Sequence, residues 1–182
     1  MEQIRYTSRI CTDPKRIEGF LRHSRVGIVG MNAGEYPYAV PVNFVWMDGC
    51  IYFHGMGSGK KVKLLDENPK VCFTVYEEAG TVTDPVPCKV DTAYMSVMLF
   101  GTVQRVEDFK QSAAALQQLL NKLMPGFFKP MPGSALIEKY RSALDDNPVA
   151  VYKMKPDFLT AKENRSEPEA LFHGGLQQVS KG

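Results

Sequence analysis

The hydrophobic and polar positions of the chain alternate in short runs, and most of these runs predict strands. Residues 26–30 are short, β-branched and bounded by glycine, which is typical of a strand. Over residues 36–47 large apolar side chains fall on alternate positions, and Asp48-Gly49 predicts a tight turn into a return strand at 51–54. Pro41 cannot donate a hydrogen bond to a ladder, so we expect the first of these strands to be interrupted or to lie at an edge.

The remainder of the chain predicts further strands and several helices. A helix opens at Asp13-Pro14, where the carboxylate can accept from a free amide and proline is tolerated in the first turn. Further strands are predicted over 70–76, 94–106 (with a bend or bulge at Gly101) and 149–152, and further helices over 109–124 and 135–144. Short turns join several neighbouring strands. The pattern therefore favours an antiparallel barrel with packed helices over a doubly wound parallel sheet.

Composition narrows the class of protein. The chain has 182 residues, 44% of them hydrophobic and 23% charged, which is typical of a globular domain with a real core. The net charge is +2 and no polybasic stripe is present, so we expect neither nucleic acid nor a membrane surface as partner. No apolar run reaches the roughly 18–20 residues of a membrane span, and the polar N-terminus lacks an apolar signal core. We expect a cytoplasmic protein with one domain over 1–162, a polar tail over 163–182 and no metal site.

The segment over residues 54–61 is the strongest candidate for a ligand-binding site. A strand ends at His54, three glycines follow, and a helix is predicted to begin near Ser58 with Lys60 and Lys61 in its first turn. Glycine lets backbone amides approach an anion, and the first turn of a helix offers unpaired N–H groups. An ordinary glycine turn followed by solvated lysines is the alternative. The spacing fits neither the P-loop nor the dinucleotide fingerprint.

Several short motifs, in order, carry a family resemblance. They are Val-Pro-Val-Asn-Phe at 40–44, Asp-Gly-Cys-Ile-Tyr-Phe-His at 48–54, Gly59-x-Lys61, Asn-Pro-x-Val-Cys-Phe at 68–73, and Tyr-Met-Ser-Val at 94–97 followed by Gly101. Together they resemble the FMN-binding split β-barrel, and within it the pyridoxamine-5′-phosphate-oxidase-like branch near the nitroimidazole-resistance (NimA-like) proteins. The resemblance runs from about residue 5 to residue 162. It implies a mainly β (α+β) fold, an antiparallel Greek-key barrel with peripheral helices.

The resemblance also implies a cofactor and a site. FMN would lie at the interface of a homodimer, with its phosphate at the loop and helix start and its ring along the second strand. The matching residues are Ser58, Lys60, Lys61, Ser96 and the amide of Val97 for the phosphate, and Pro41, Val42 and Asn43 for the isoalloxazine edge. Counting from either end of the motif leaves Lys60 and Lys61 both open as the phosphate lysine. His54 is the candidate catalytic residue, because it could touch the ring or a substrate. Met95 stands where the family often has a basic residue.

Two functions follow from this resemblance. The first is an FMN-dependent reductase or oxidase that passes hydride or electrons to a small electrophile, for example a nitroaromatic. The second is a non-catalytic protein that binds or sequesters flavin or haem in the same cleft. The end of the chain does not reproduce the basic, histidine-containing pattern of true pyridoxamine-phosphate oxidases, so a B6 vitamer is not the expected substrate.

Overall fold

The computed structural model describes residues 4–129 and 131–174. In chain order its strands and main helices are α1 Pro14–His23, β1 Val26–Met31, β2 Tyr38–Met47, β3 Cys50–Gly55, α2 Lys60–Glu67, β4 Lys70–Val82, β5 Asp91–Arg105, α3 Phe109–Leu123, α4 Gly133–Lys139 and β6 Ala150–Asn164. Local chemistry explains two boundaries that were predicted. Asp13 caps α1 by accepting from the Lys15 amide at 2.9 Å. Asp48 (φ 52°) and Gly49 (φ 70°) form the left-handed hairpin turn between β2 and β3.

The six strands close into an antiparallel barrel in the order β1-β2-β3-β6-β5-β4. The first three strands follow one another around the wall, and β4 returns to lie beside β1. This spatial order, 4-1-2-3, is the Greek key. The predicted Greek-key barrel with peripheral helices is therefore confirmed.

The second strand changes partner halfway along its length. Residues 38–43 pair with β1, whereas residues 44–47 pair with β3. Pro41 lies in the first half, so its missing N–H costs no hydrogen bond to β3. β2 is continuous from Tyr38 to Met47, so the strand is not interrupted at Pro41. Residues 38–43 pair with β1 on one side only, so the first half of β2 has the edge character that was predicted.

Two strands are much longer than predicted, and one helix is shorter. The strand predicted over 70–76 continues to Val82, and the strand predicted over 149–152 continues to Asn164. Both extensions pair with β5. Their hydrogen bonds to β5 hold them as strands even at polar positions, where the sequence pattern does not predict a strand. The bulge predicted at Gly101 is confirmed, and a β-carbon there would collide with the backbone of β6. The helix predicted over 135–144 occupies residues 133–139 instead.

Apolar side chains form two layers. The barrel interior is filled from all six strands and is completed by buried residues of α1 and α2, namely Ile17, Leu21, Leu64 and Leu65. A second cluster lies between the outer face of β2, β3 and β6 and the helices α3 and α4. The helices thus cover one side of the barrel wall. Among the described residues the main helix–strand contacts are made with β2, β3, β5 and β6, so β1 and β4 are the strands with the least helix cover.

The polar tail expected from residue 163 begins inside β6, because Glu163 and Asn164 are the last residues of that strand. The chain then pairs with the end of β4: the Thr83 amide donates to the Ala170 carbonyl at 3.0 Å, and the Phe172 amide donates to the Thr81 carbonyl at 2.7 Å. The tail is therefore anchored as far as residue 172, and the part over 175–182 lies outside the described residues.

None of the helices within the described ranges is both long enough and apolar enough to cross a membrane.

Candidate functional site

The start of α2 has the features of an anion site. Its N-cap is Gly59, with φ 102° and ψ −177°, a conformation that is essentially restricted to glycine. Ser58 is exposed, and no side chain of the described residues caps the helix. The first turn contains no acidic residue but carries Lys60 and Lys61. Open amides and two cations at one helix start are the arrangement that binds phosphate.

The two lysines of this turn have different surroundings. The Lys61 ammonium is turned inward, 5.5 Å from the ring centre of Phe53 and 5.8 Å from that of Tyr152. Burial lowers the pKa of Lys61 below its ordinary value. Lys60 is exposed, with its Nζ 4.4 Å from the ring centre of Tyr38. Neither lysine is paired with a carboxylate in the described part of the chain, so both charges can meet an anion.

Gly55, the last residue of β3, brings the backbone close to this cation. A β-carbon on Gly55 would collide with Nζ of Lys61. Just beyond it, the Tyr152 hydroxyl donates to the Met56 carbonyl at 3.5 Å, which ties the loop to β6. A side chain at this position would therefore displace the Lys61 ammonium, which ends a flexible side chain, from its present place beside the loop.

His54 is a half-buried side chain directly before this loop. Its ring packs edge-on against Tyr140, with the ring centres 5.0 Å apart and the planes at 82°. Its Nδ1 is buried and has no hydrogen-bond partner among the described residues. Burial first, and the charge of Lys61 second, lower the pKa of His54, so the imidazole is neutral at pH 7. Buried ring nitrogens are usually satisfied, so this one is an open position for a ligand.

The predicted ring-contact segment of β2 lies beside His54. Pro41 and Asn43 are exposed on the outer face of the barrel, whereas Val42 is buried in the interior. The β2–β3 ladder ends at the pair of Phe44 and Phe53. Asn43 and His54 are the next residues beyond that pair, and they would face each other if the ladder continued by one pair. The point where β2 leaves β3 thus brings exposed backbone, His54 and the glycine loop to one place.

Ser96 and Val97 do not meet the glycine loop within one chain. Lys60 lies over Tyr38, and Tyr38 is separated from Ser96 by three strand spacings and about five residues of strand length. That offset is roughly 20 Å. Val97 is fully buried, and its backbone belongs to a strand that is paired on both sides. Met95 also points into the core, so the apolar residue at this position does not remove a cation from the glycine loop of the same chain.

Two aromatic residues of the site were not singled out by sequence. Tyr140 contacts His54, and Tyr152 lies beneath Lys61 and holds the loop. Burial raises the pKa of both hydroxyls. No local signal could have identified them, because each contact joins positions more than eighty residues apart.

A closed Greek-key barrel whose second strand changes partner, with a glycine-bounded helix start beside the break, defines the class of split β-barrel proteins. A family model described as pyridoxamine 5′-phosphate oxidase matches residues 13–163. The chain belongs to that family, since the match runs from the cap of α1 to the end of β6. No curated protein matches the chain.

Solved structures agree with the fold. A protein of Bacteroides thetaiotaomicron, by name a 5-nitroimidazole antibiotic resistance protein, is 26% identical over 84% of this chain and 85% of its own, with a TM-score of 0.66. The flavocytochrome Anf3 of Azotobacter vinelandii is 21% identical over 91% and 73% of the two chains, with a TM-score of 0.73. An FAD- and haem-binding protein of Mycobacterium smegmatis is 17% identical over 87% and 74%, with a TM-score of 0.71.

Proposed function

We propose that this protein is a cytoplasmic, homodimeric FMN-dependent oxidoreductase that reduces a small electrophile. The observation that carries this proposal is the start of α2. An uncapped helix N-terminus with two lysines lies next to half-buried His54. Within the described ranges neither lysine has a carboxylate partner, and the buried Nδ1 of His54 has no hydrogen-bond partner. A ligand with a dianionic end and a planar polar body would satisfy both.

Different residues of the chain would contact the phosphate and the ring of such a ligand. The amides after Gly59, with Lys60 and Lys61, bind the phosphate, and Ser58 can donate its hydroxyl to the same group. His54 offers a neutral ring nitrogen to the flavin or to the substrate. The exposed backbone of β2 around Pro41 and Asn43 borders the ring. Bound FMN supplies the hydride or electron transfer, and the protein supplies position, polarity and exclusion of water.

The proposed dimer rests on the part of the barrel's outer face that has the least helix cover. Large apolar side chains are exposed there on β1 and β4, namely Val26, Ile28 and Tyr76, and also on the adjoining β5 and β6, namely Met98 and Phe158. An apolar face of this size is typical of an interface between subunits. It also accounts for Ser96: at roughly 20 Å from the lysines of its own chain, it could complete the phosphate site only from a second copy. Val97 is not part of the proposed phosphate site, because its backbone belongs to a strand that is paired on both sides.

The substrate class follows from the family and from the relative with the highest identity among those described. The Bacteroides protein, at 26% identity, is named for resistance to 5-nitroimidazole antibiotics, which favours a nitroaromatic acceptor for this chain. The neutral imidazole of His54 and the ring of Tyr140 beside it suit a planar, electron-poor ring. A nitroaromatic is therefore the first acceptor to test.

The spectrum and redox behaviour of the purified protein test this proposal. We expect the two visible absorption bands of flavin, and release of FMN on denaturation by mass spectrometry. The reduced protein, kept anaerobic, is then mixed with 2-methyl-5-nitroimidazole, and reoxidation should be at least tenfold faster than for free reduced FMN. Colourless protein that takes up no added FMN would refute the proposal.

A binding protein for flavin or haem is the second candidate. Two structural neighbours with TM-scores above 0.7 are named for a flavin together with haem. The same preparation separates the candidates: a Soret band would reveal haem, and reoxidation no faster than free FMN would favour a binding role.

A further inference from the structure

The contact between His54 and Tyr140 joins the candidate site to the second apolar layer. Alternation along β3 places His54 on the face that carries Cys50 and Tyr52, both of which are buried against α3 and α4. Tyr140 follows the last residue of α4 and meets His54 edge-on at 5.0 Å. The imidazole therefore packs against the residue that ends α4.

Tyr140 is half-buried and packs against the second apolar cluster. Its amide donates to the Leu136 carbonyl at 2.9 Å, and Leu136 is 2% exposed in the second cluster. At the start of α4, Gly133 approaches α3 so closely that a β-carbon would lie 3.0 Å from the Ala113 methyl group. A ring supported in this way gives its neighbour one orientation.

We infer that Tyr140 is a positioning residue, which holds the His54 imidazole in a fixed and water-poor orientation so that Nδ1 is presented to the ligand. This inference rests on the proposed function, because the ligand is the flavin or its substrate. The edge-to-face contact uses no ring nitrogen of His54, unlike a hydrogen bond that an imidazole N–H donates to a carboxylate.

The charges and the burial around His54 determine in which direction its pKa should change when Tyr140 is replaced. Lys61 of α2 faces it and disfavours the imidazolium, and burial does the same. On β6, Lys153 lies over the ring of Tyr52 at 5.7 Å, on the same face of the sheet. Loss of the Tyr140 ring would admit water and raise the pKa of His54 towards its ordinary value.

An NMR titration of the histidine side chains tests this inference. The chain has three histidines, and His23→Asn and His173→Asn variants assign the signals of His54. Tyr140→Ala should shift the His54 titration to higher pH, while Tyr140→Phe, which keeps the ring, should restore it. Phe128→Ala is the matched control, because it breaks an edge-to-face pair of similar geometry (4.9 Å, 81°) that does not involve His54.

The second readout is the pH profile of flavin reoxidation by the nitroimidazole. It should move with the His54 titration in Tyr140→Ala and stay in place in Tyr140→Phe. An unchanged His54 titration in Tyr140→Ala overturns the inference, and so does a shifted titration with an unchanged pH profile. If Tyr140→Ala unfolds, Tyr140→Val replaces it, since it keeps some apolar contact with α4 but still removes the ring and leaves room for water beside the imidazole. Protein that bound no flavin would refute the proposed function alone, and the titration would still decide whether Tyr140 controls His54.

Discussion

Replacement of Lys61 by methionine is the sharpest test of the phosphate site. Methionine keeps most of the apolar stem of Lys61 but removes the ammonium that lies near the rings of Phe53 and Tyr152. Because Lys61 is half-buried, its contact with a phosphate would be poorly screened, and a charged hydrogen bond of this kind contributes about 1.5–3 kcal/mol. FMN binding should therefore weaken about 10- to 150-fold.

Lys60 should matter less than Lys61. It is exposed, so solvent and salt screen its charge, and Lys60→Met should weaken FMN binding only about 2- to 5-fold. Lys63 is the matched control on the same helix, since its side chain is 77% exposed and lies 3.8 Å from Glu67. Lys63→Met should leave FMN binding unchanged.

Fluorescence titrations of FMN and of riboflavin with each variant, at fixed ionic strength, measure these effects. Riboflavin lacks the phosphate, so its affinity should hardly change in any of the three variants. Equal losses for FMN and riboflavin in Lys61→Met would show that the lysine does not bind the phosphate. A loss in Lys63→Met as large as that in Lys61→Met would show that only the net charge of α2 matters.

Three further predictions concern stability and are checked by chemical unfolding. Glu163 accepts from Arg165 and Arg16, which hold its pKa at about 2, so Glu163→Gln should lose about 1–2 kcal/mol at neutral pH; the difference should disappear as the pH falls from 4.5 towards 2. Burial lowers the pKa of Lys122 to about 8, and the unfolded chain therefore binds more protons between pH 8 and 10.5. Wild-type stability should rise across that interval, and in Lys122→Met the rise should be smaller; an identical slope would contradict this assignment. Gly101→Ala should lose about 1–3 kcal/mol because the β6 backbone blocks a β-carbon, and unchanged stability would mean that the strands part there at no cost.

Features with a local cause were predictable from sequence. The cap at Asp13, the turn at Asp48-Gly49 and the bulge at Gly101 each depend on a few adjacent residues. The lengths of β4 and β6 were not predictable in this way. Residues 77–82 and 155–164 carry many polar side chains, and they are strands because β5 supplies hydrogen-bond partners along their whole length.

The candidate site also contains residues that could be predicted from the sequence and residues that could not. The glycine loop, Lys60, Lys61 and His54 are close together in sequence, and their order carried the family resemblance from which the site was predicted. Ser96 was expected to join them, but the ladder places it roughly 20 Å away in the same chain. Tyr140 was missed because its contact with His54 depends on how α4 packs on α3.

The amino-acid sequence by itself indicated the family, through the resemblance that the order of its short motifs carries. Short-range turn chemistry and alternation predicted the antiparallel barrel and the glycine loop before α2. Only the tertiary structure decided which lysine turns inward, which aromatic ring supports His54, and which residues one chain can bring to the site. Those relations depend on ladder register and helix packing between distant segments, which no local pattern encodes.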